Sequence, residues 1–452
     1  MEKPVKLKFS NYLSIGMMIF GLFFGAGNLI FPIQMGQEAG KAVGAANLGF
    51  LITGIGLPFL GILAFGFSGS DSLIDLSKKV SHRFSYVFTT ILFMIIGPLF
   101  ALPRLATTSY EVGISTFVQA EYQVPALLLF TCLFFAVTWY LSLNPTKLLD
   151  YIGKYLTPLF LILLAILMFL AFAMPMGKIS TAPTQSKYML HPFLQGFLNG
   201  YNTLDALAAL AFGTVIVTSV QRLGNFTKKE AAIKIGFSGL IGIVLMGIIY
   251  TLLSYMGTMS LGEFPLNKNG GITLSQISVY YLGNFGYIIM SVIVLIACLK
   301  TAIGLVSAFS QTFTKLYPRV NYKWFCVGAT VLAGVVSNIG LTSIIAISTP
   351  VLMFIYPLAM LLIFLSLFSQ FFENFKAVYR CSIYLTMISA FFEGLNAMPV
   401  FVKQQHWIAK LLDGANKYLP LYEYGFSWLL FATIGILVGI LLSIYQRNRV
   451  NS

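Results

Sequence analysis

Twelve long apolar stretches make up most of this chain. They lie at 10–33, 41–68, 84–116, 125–143, 152–174, 192–220, 231–259, 274–313, 322–340, 342–369, 376–400 and 424–446. Most exceed the ~20 residues a helix needs to cross ~30 Å of hydrocarbon. Breaks rich in charge, proline, glycine or asparagine separate them. Membrane barrel strands would run ~10 residues with alternating polarity, and the sequence has no such alternation. Charged residues are 9% and hydrophobic residues 58% of the 452. Soluble domains have roughly 25% and 45–50%. So little charge cannot cover a soluble protein of this size, which excludes a secreted, cytosolic or disordered chain. The chain reads as an all-α polytopic membrane protein with 12 transmembrane helices, forming one integral membrane domain.

The net charge is +14, from 28 Lys and Arg against 14 Asp and Glu. Nineteen of the 28 fall on the side that holds the N-terminus and seven on the other, while Arg104 and Lys300 lie within apolar segments. This bias places both termini in the cytoplasm. Compact loops fit the plasma membrane of a prokaryotic cell. Lys3, Lys6 and Lys8 precede the first segment as in a signal peptide, but its apolar run is too long, so it reads as the first membrane helix. The basic residues form no clustered patch, so membrane lipids, not nucleic acid, are the expected surroundings. Cys132, Cys298, Cys326 and Cys381 have no C-x-x-C spacing, and His82, His191 and His406 are scattered. Neither set suggests a metal site. With no phosphate loop or nucleophile motif, no enzyme or organic cofactor is expected.

Two segments are interrupted by helix-breaking and polar residues. The first contains Gly25, Gly27 and Asn28 at membrane depth. The sixth contains Asn199, Gly200, Asn202, Thr203 and Asp205. Glycines serve close helix packing, but an asparagine beside them favours an unwound stretch, tolerated in the membrane only where it lines a cavity. If helices 1–5 and 6–10 are repeats, helix 6 is the counterpart of helix 1. Paired interruptions of this kind point to a transporter site built by an inverted repeat. The repeats would be 1–174 and 192–369, with helices 11 and 12 at 376–446.

The stretch Phe24 to Pro32, with Gly36, Ala39 and Gly40, resembles the opening signature of the branched-chain amino acid:cation symporters (the BrnQ-type family). Gly200, Tyr201, the run Leu204 to Leu210, Phe212 and Gly213 resemble that family's sixth helix. Gly97, Pro98, Pro103, Arg104, Ser109, Tyr110 and Glu111 resemble its third, and Ala297 to Leu299 with Thr301 to Leu305 its eighth. The resemblance implies a leucine-transporter-like 5+5 inverted repeat with broken helices 1 and 6, plus two C-terminal helices. It implies a secondary transporter that imports leucine, isoleucine or valine by alternating access, coupled to a cation, Na+ or H+.

Helix 1 also resembles the more distant neurotransmitter–sodium symporters from Gly21 to Pro32. That likeness implies that amides near Gly25, Ala26 and Gly27 hold the substrate carboxylate. It puts the Phe23 carbonyl and the Asn28 side chain near one sodium, and the Gly21 and Phe24 carbonyls at a second cation position. In helix 6, Asn199, Gly200, Tyr201, Asn202, Thr203 and Asp205 are site candidates collectively. Asp205 has three candidate roles: ammonium ligand, cation ligand, or local hydrogen-bond acceptor. An acid at membrane depth is a functional candidate by default.

Helix 8 departs from the sodium-coupled pattern. Ala297, Lys300 and Thr301 occupy the places of a carbonyl and two hydroxyls around the second sodium, and Lys300 would put an ammonium there. A desolvated lysine is also able to exchange a proton. Against this stands a lysine that snorkels into cytoplasmic water. Tyr110 is a candidate hydroxyl near the substrate carboxylate. Arg104 and Glu111, seven residues apart on one helix face, are candidate gating or structural charges. Glu393 reads as structural and Glu38 as interfacial. The alternatives to a branched-chain carrier are a proton-coupled or exchange carrier of other neutral amino acids, then a channel or receptor. The apolar substrate pocket is not legible among 41 Phe and 17 Met.

Overall fold

The computed structural model describes residues 8–70, 72–224, 226–371 and 376–451. Lys3 and Lys6 lie outside the described residues. Helices, turns and connecting segments make up everything described, with no strand. In hydrocarbon every backbone N–H and C=O must be satisfied within its own segment, and helices do this.

Eight helical runs among the described residues are long and apolar enough to cross a membrane. The count is nine if the bent pair Pro192–Thr203 and Asp205–Gln221 is one span. One of the eight, Ala26–Phe65, is 40 residues long, about twice a membrane crossing, and is divided by a tight turn at Gly40–Ala42. Phe9–Phe23 and Tyr322–Ser337 are apolar but shorter. Lys376–Asn396, which carries Lys376, Arg380 and Glu393, is not among the eight. The expected stretch at 274–313 is two helices, not one. Gly283, at φ 57°, separates Gly270–Leu282 from Asn284–Leu316, a turn that a residue with a Cβ adopts only under strain.

Eight elements position the site: α1 (Phe9–Phe23), α2 (Ala26–Ala39), α3 (Ala101–Ser109), α4 (Pro192–Gly200), α5 (Asp205–Gln221), α6 (Lys228–Met259), α7 (Asn284–Leu316) and α8 (Leu341–Leu367). α2 packs on α6 with the backbones almost touching: a Cβ on Gly36 would lie 1.9 Å from the Ser254 carbonyl oxygen. The Thr258 hydroxyl donates to the Gly36 carbonyl there, at 2.7 Å. Small residues permit such approach between membrane helices. α3 follows a kink at Gly97 (φ −95°, ψ −122°), where Pro98 also removes a backbone donor.

Candidate functional site at two helix breaks

Helix 1 breaks at Phe24 and Gly25, whose ψ angles of 86° and −159° leave the helical region. Gly27 and Asn28, expected within the unwound stretch, instead form the first turn of α2. The sixth segment breaks one residue before Asp205. Tyr201–Thr203 form a single tight turn, and Leu204 takes a left-handed conformation (φ 68°). A left-handed leucine costs about 1–2 kcal/mol. The break bends the span by 41°.

Side chains satisfy the groups that the first break frees. The Gly25 N–H donates to Asn28 Oδ1 at 3.0 Å, which caps α2. At the end of α1, Lys300 Nζ donates to the carbonyls of Gly21 (3.1 Å) and Phe24 (2.5 Å). The Thr301 hydroxyl donates to the Gly21 carbonyl at 3.3 Å. A cation at a helix C-terminus meets the negative end of the helix dipole. Lys300 is fully buried. Its ammonium lies 4.8 Å from the centre of the Phe160 ring, 5.3 Å from Phe20 and 5.5 Å from Phe24. Three ring faces attract a desolvated cation by their quadrupoles. Lys300 therefore does not snorkel to water. Ala297, one turn earlier in α7, is buried, and no side chain among the described residues donates to its carbonyl.

A second cluster ties the two breaks together. Asp205 Oδ2 accepts from Asn28 Nδ2 at 2.6 Å and from the Tyr250 hydroxyl at 2.9 Å. Asn28 Nδ2 also bonds the Tyr250 hydroxyl. All three side chains are buried. The Asn28 oxygen is taken by Gly25, so the carboxamide presents nitrogen to Asp205.

Between the breaks lies a cavity of about 30 Å³. Its polar lining comes from Arg104, Asn28, Thr203, Asp205 and Thr301, beside Gly25, Ala26 and Gly27. Its apolar lining includes Phe23, Ile96, Leu105, Ala208 and Leu305. The space is of the order that holds a water or two. Arg104 Nη2 donates to the Asn202 carbonyl at 2.7 Å, and its guanidinium lies 5.1 Å from the Phe31 ring centre.

Other sequence candidates lie elsewhere. The Tyr110 hydroxyl donates to Gln123, at 3.0 Å to its carbonyl and 2.8 Å to its side chain, and does not line the cavity. Glu111 does not meet Arg104. It accepts from the Leu341 N–H at 3.4 Å and caps α8. Asn199 bonds the Tyr188 hydroxyl. Gly200 packs on Thr53, and Tyr201 stacks on Tyr356 with ring centres 4.5 Å apart. Of the helix 6 candidates, Thr203 and Asp205 line the cavity, and Asn202 offers its carbonyl to Arg104. Glu393 accepts from the Ser427 N–H and hydroxyl, and Glu38 pairs with Lys187. Tyr250 and the aromatic faces around Lys300 were not singled out in the sequence. The one signal was the four-residue spacing of Phe20 and Phe24, which puts two rings on one face of α1.

A family model described as branched-chain amino acid transport protein matches residues 8–446. The chain is 42% identical over 441 residues to the branched-chain amino acid permease BrnQ of Bacillus subtilis, which covers 98% of each. It is 35% identical over 434 residues, 96% of each, to the branched-chain amino acid transport system 2 carrier protein of Pseudomonas aeruginosa. Among solved structures it is similar to MhsT in complex with L-phenylalanine. The TM-score is 0.56 at 16% identity, over 97% of this chain and 100% of that one. It is equally similar to Mhp1, a nucleobase-cation-symport-1 family transporter, in a closed conformation with bromovinylhydantoin bound. There the TM-score is 0.56 at 14% identity, over 90% and 95%. At these identities the likeness shows the fold alone, a transporter fold of the leucine-transporter type.

Proposed function

Because the chain belongs to the branched-chain amino acid transport protein family, we propose that it imports leucine, isoleucine or valine by cation-coupled alternating access. Its relatives are permeases and carriers, and it is a multi-pass membrane transporter, not an enzyme. The observation that carries the finer reading is the lining of the cavity between the breaks, which combines charged and polar groups with apolar side chains. An α-amino acid with a branched aliphatic side chain offers both kinds of group. The architecture we favour is twelve helices, ten in two inverted repeats and two beyond them, with both termini cytoplasmic. Helices 1, 2, 6 and 7 would move as a bundle against helices 3, 4, 8 and 9. Substrate contacts stronger in the closed state would favour switching.

The reading of the coupling ion rests on Lys300. A sodium between the Gly21 and Phe24 carbonyls does not fit beside an ammonium bonded to both. In this reading Lys300 takes the place of the second sodium, and the proton gradient drives uptake. A sodium at Asn28 would require the carboxamide to turn its oxygen away from Gly25. The test is labelled leucine uptake into proteoliposomes with sodium and proton gradients imposed separately, for wild type and Lys300→Thr. The expected result is proton-driven uptake in the wild type and a sodium requirement in the variant. Sodium-driven uptake in the wild type, unchanged in Lys300→Thr, would overturn the assignment. No leucine uptake under any gradient would overturn the substrate.

A further inference from the structure

Resting on that transport reading, we infer that Arg104 is the charged anchor for the substrate carboxylate, held ready at the meeting point of three elements. Arg104 lies on α3, in the segment after the Gly97–Pro98 kink, and only 7% of it is exposed. Its side chain lines the cavity. Among the described residues no Asp or Glu oxygen lies within 4.0 Å of its guanidinium. Glu111, the acid nearest to it on the same helix face, is bound to the start of α8 instead. Asp205, also on the cavity, attracts the guanidinium from beyond ion-pair distance, while its Oδ2 is engaged by Asn28 and Tyr250.

A guanidinium carries five N–H donors in a planar fork. One nitrogen of Arg104 bonds the Asn202 carbonyl, and the Phe31 ring covers one side. A neutral carbonyl, a ring and an acid beyond contact distance offset only part of the cost of burying a full charge. The fork itself grips no carboxylate and fits one bidentately. The same nitrogen lies against the opening turn of α2: a Cβ built on Gly27 would be 2.8 Å from Nη2. First-turn N–H groups at Gly27 and Asn28 have no carbonyl a turn earlier to bond. A carboxylate seated there would meet the cation of α3 and the amides of α2. Through the Asn202 carbonyl it would also be coupled to the break before α5. Substrate would thereby lock α3 to both broken helices, an ordering that an analogue without a carboxylate cannot produce.

The test compares leucine with leucinol, which keeps the side chain and ammonium but has no carboxylate. Binding of labelled leucine to the purified full-length protein is competed with each, for wild type, Arg104→Gln and Arg104→Lys. Leucinol should compete about 100-fold more weakly than leucine in the wild type. Arg104→Gln should lose roughly 30-fold or more in leucine affinity while leucinol stays within about threefold. Arg104→Lys keeps the charge without the fork and should fall between the two. If Arg104→Gln does not fold, the wild-type ratio and the Lys variant decide the matter. Equal affinity for leucine and leucinol in the wild type would overturn the inference. So would parallel losses for both ligands in the variants, which mean that Arg104 only braces Asn202. Wild-type protein that neither binds nor transports leucine would overturn the transport reading itself, a separate failure.

Discussion

Replacing Tyr250 with Phe removes one oxygen from the centre of the helix 1–helix 6 junction and little else. The hydroxyl donates to Asp205 Oδ2 at 2.9 Å and bonds the Asn28 carboxamide, and the whole side chain is buried. The ring remains, so its packing on Phe24 and Phe50 is kept. A hydrogen bond to a charged group contributes about 1.5–3 kcal/mol and a neutral one about 0.5–1.5 kcal/mol. The loss should therefore be about 2–4 kcal/mol. It is read by equilibrium unfolding in mixed micelles, with Tyr418→Phe, at an exposed position, as the control. A double-mutant cycle isolates the carboxylate contact. Tyr250→Phe and Asp205→Ala should show a coupling of about 1–3 kcal/mol, because each removes the partner of the other. Leucine uptake should fall as well, since the cluster joins the two breaks that bound the cavity. Additive effects, or a Tyr250→Phe protein within about 0.5 kcal/mol of wild type, would refute the argument. The carboxylate would then be satisfied some other way.

Tyr110→Phe should leave the leucine KM unchanged in uptake assays, because its hydroxyl bonds Gln123 and not the cavity. Ala208→Val should raise the KM for leucine more than that for valine, since added methyl groups narrow the cavity that Ala208 lines; differences of about 10-fold or more are typical for one methylene. Gly36→Val should cost about 3 kcal/mol or more, seen as a lower melting temperature, because its Cβ would collide with the Ser254 carbonyl. Ser427→Ala should lower the melting temperature by removing one of two donors to Glu393, with no change in leucine KM.

The sequence showed both breaks because few residue types interrupt a membrane helix. Gly25 with Asn28, and Asn202 with Asp205, stand out against Leu, Ile and Phe. Lys300 stood out for the same reason: a charge at membrane depth needs a physical account. Residues of common type were not legible. Phe160 is one of 41 phenylalanines, and its place beside Lys300 depends on how two distant helices pack. Tyr250 likewise reaches Asp205 from 45 residues away, with no motif around it. Polarity alone also did not separate neighbours that line the cavity from those that do not. Asn199 and Gly200 serve contacts to Tyr188 and Thr53, because a helix break needs supporting contacts on both flanks. The eighth segment was misjudged for a different reason. Gly283 and Asn284 interrupt a stretch that is apolar on both sides, and the positive φ of Gly283 is visible only in three dimensions.

The ammonium that closes the end of α1 is joined to its own helix by four methylene groups. A dissolved ion at that place arrives at one face of the membrane and leaves at the other, and the difference in its chemical potential does work in each cycle. A tethered cation has the same concentration at every step and no gradient to run down. Under the proposed coupling it holds the break together without drawing on the cell's sodium. Any force it contributes must pass through a particle it can release, and the only one a lysine carries is a proton.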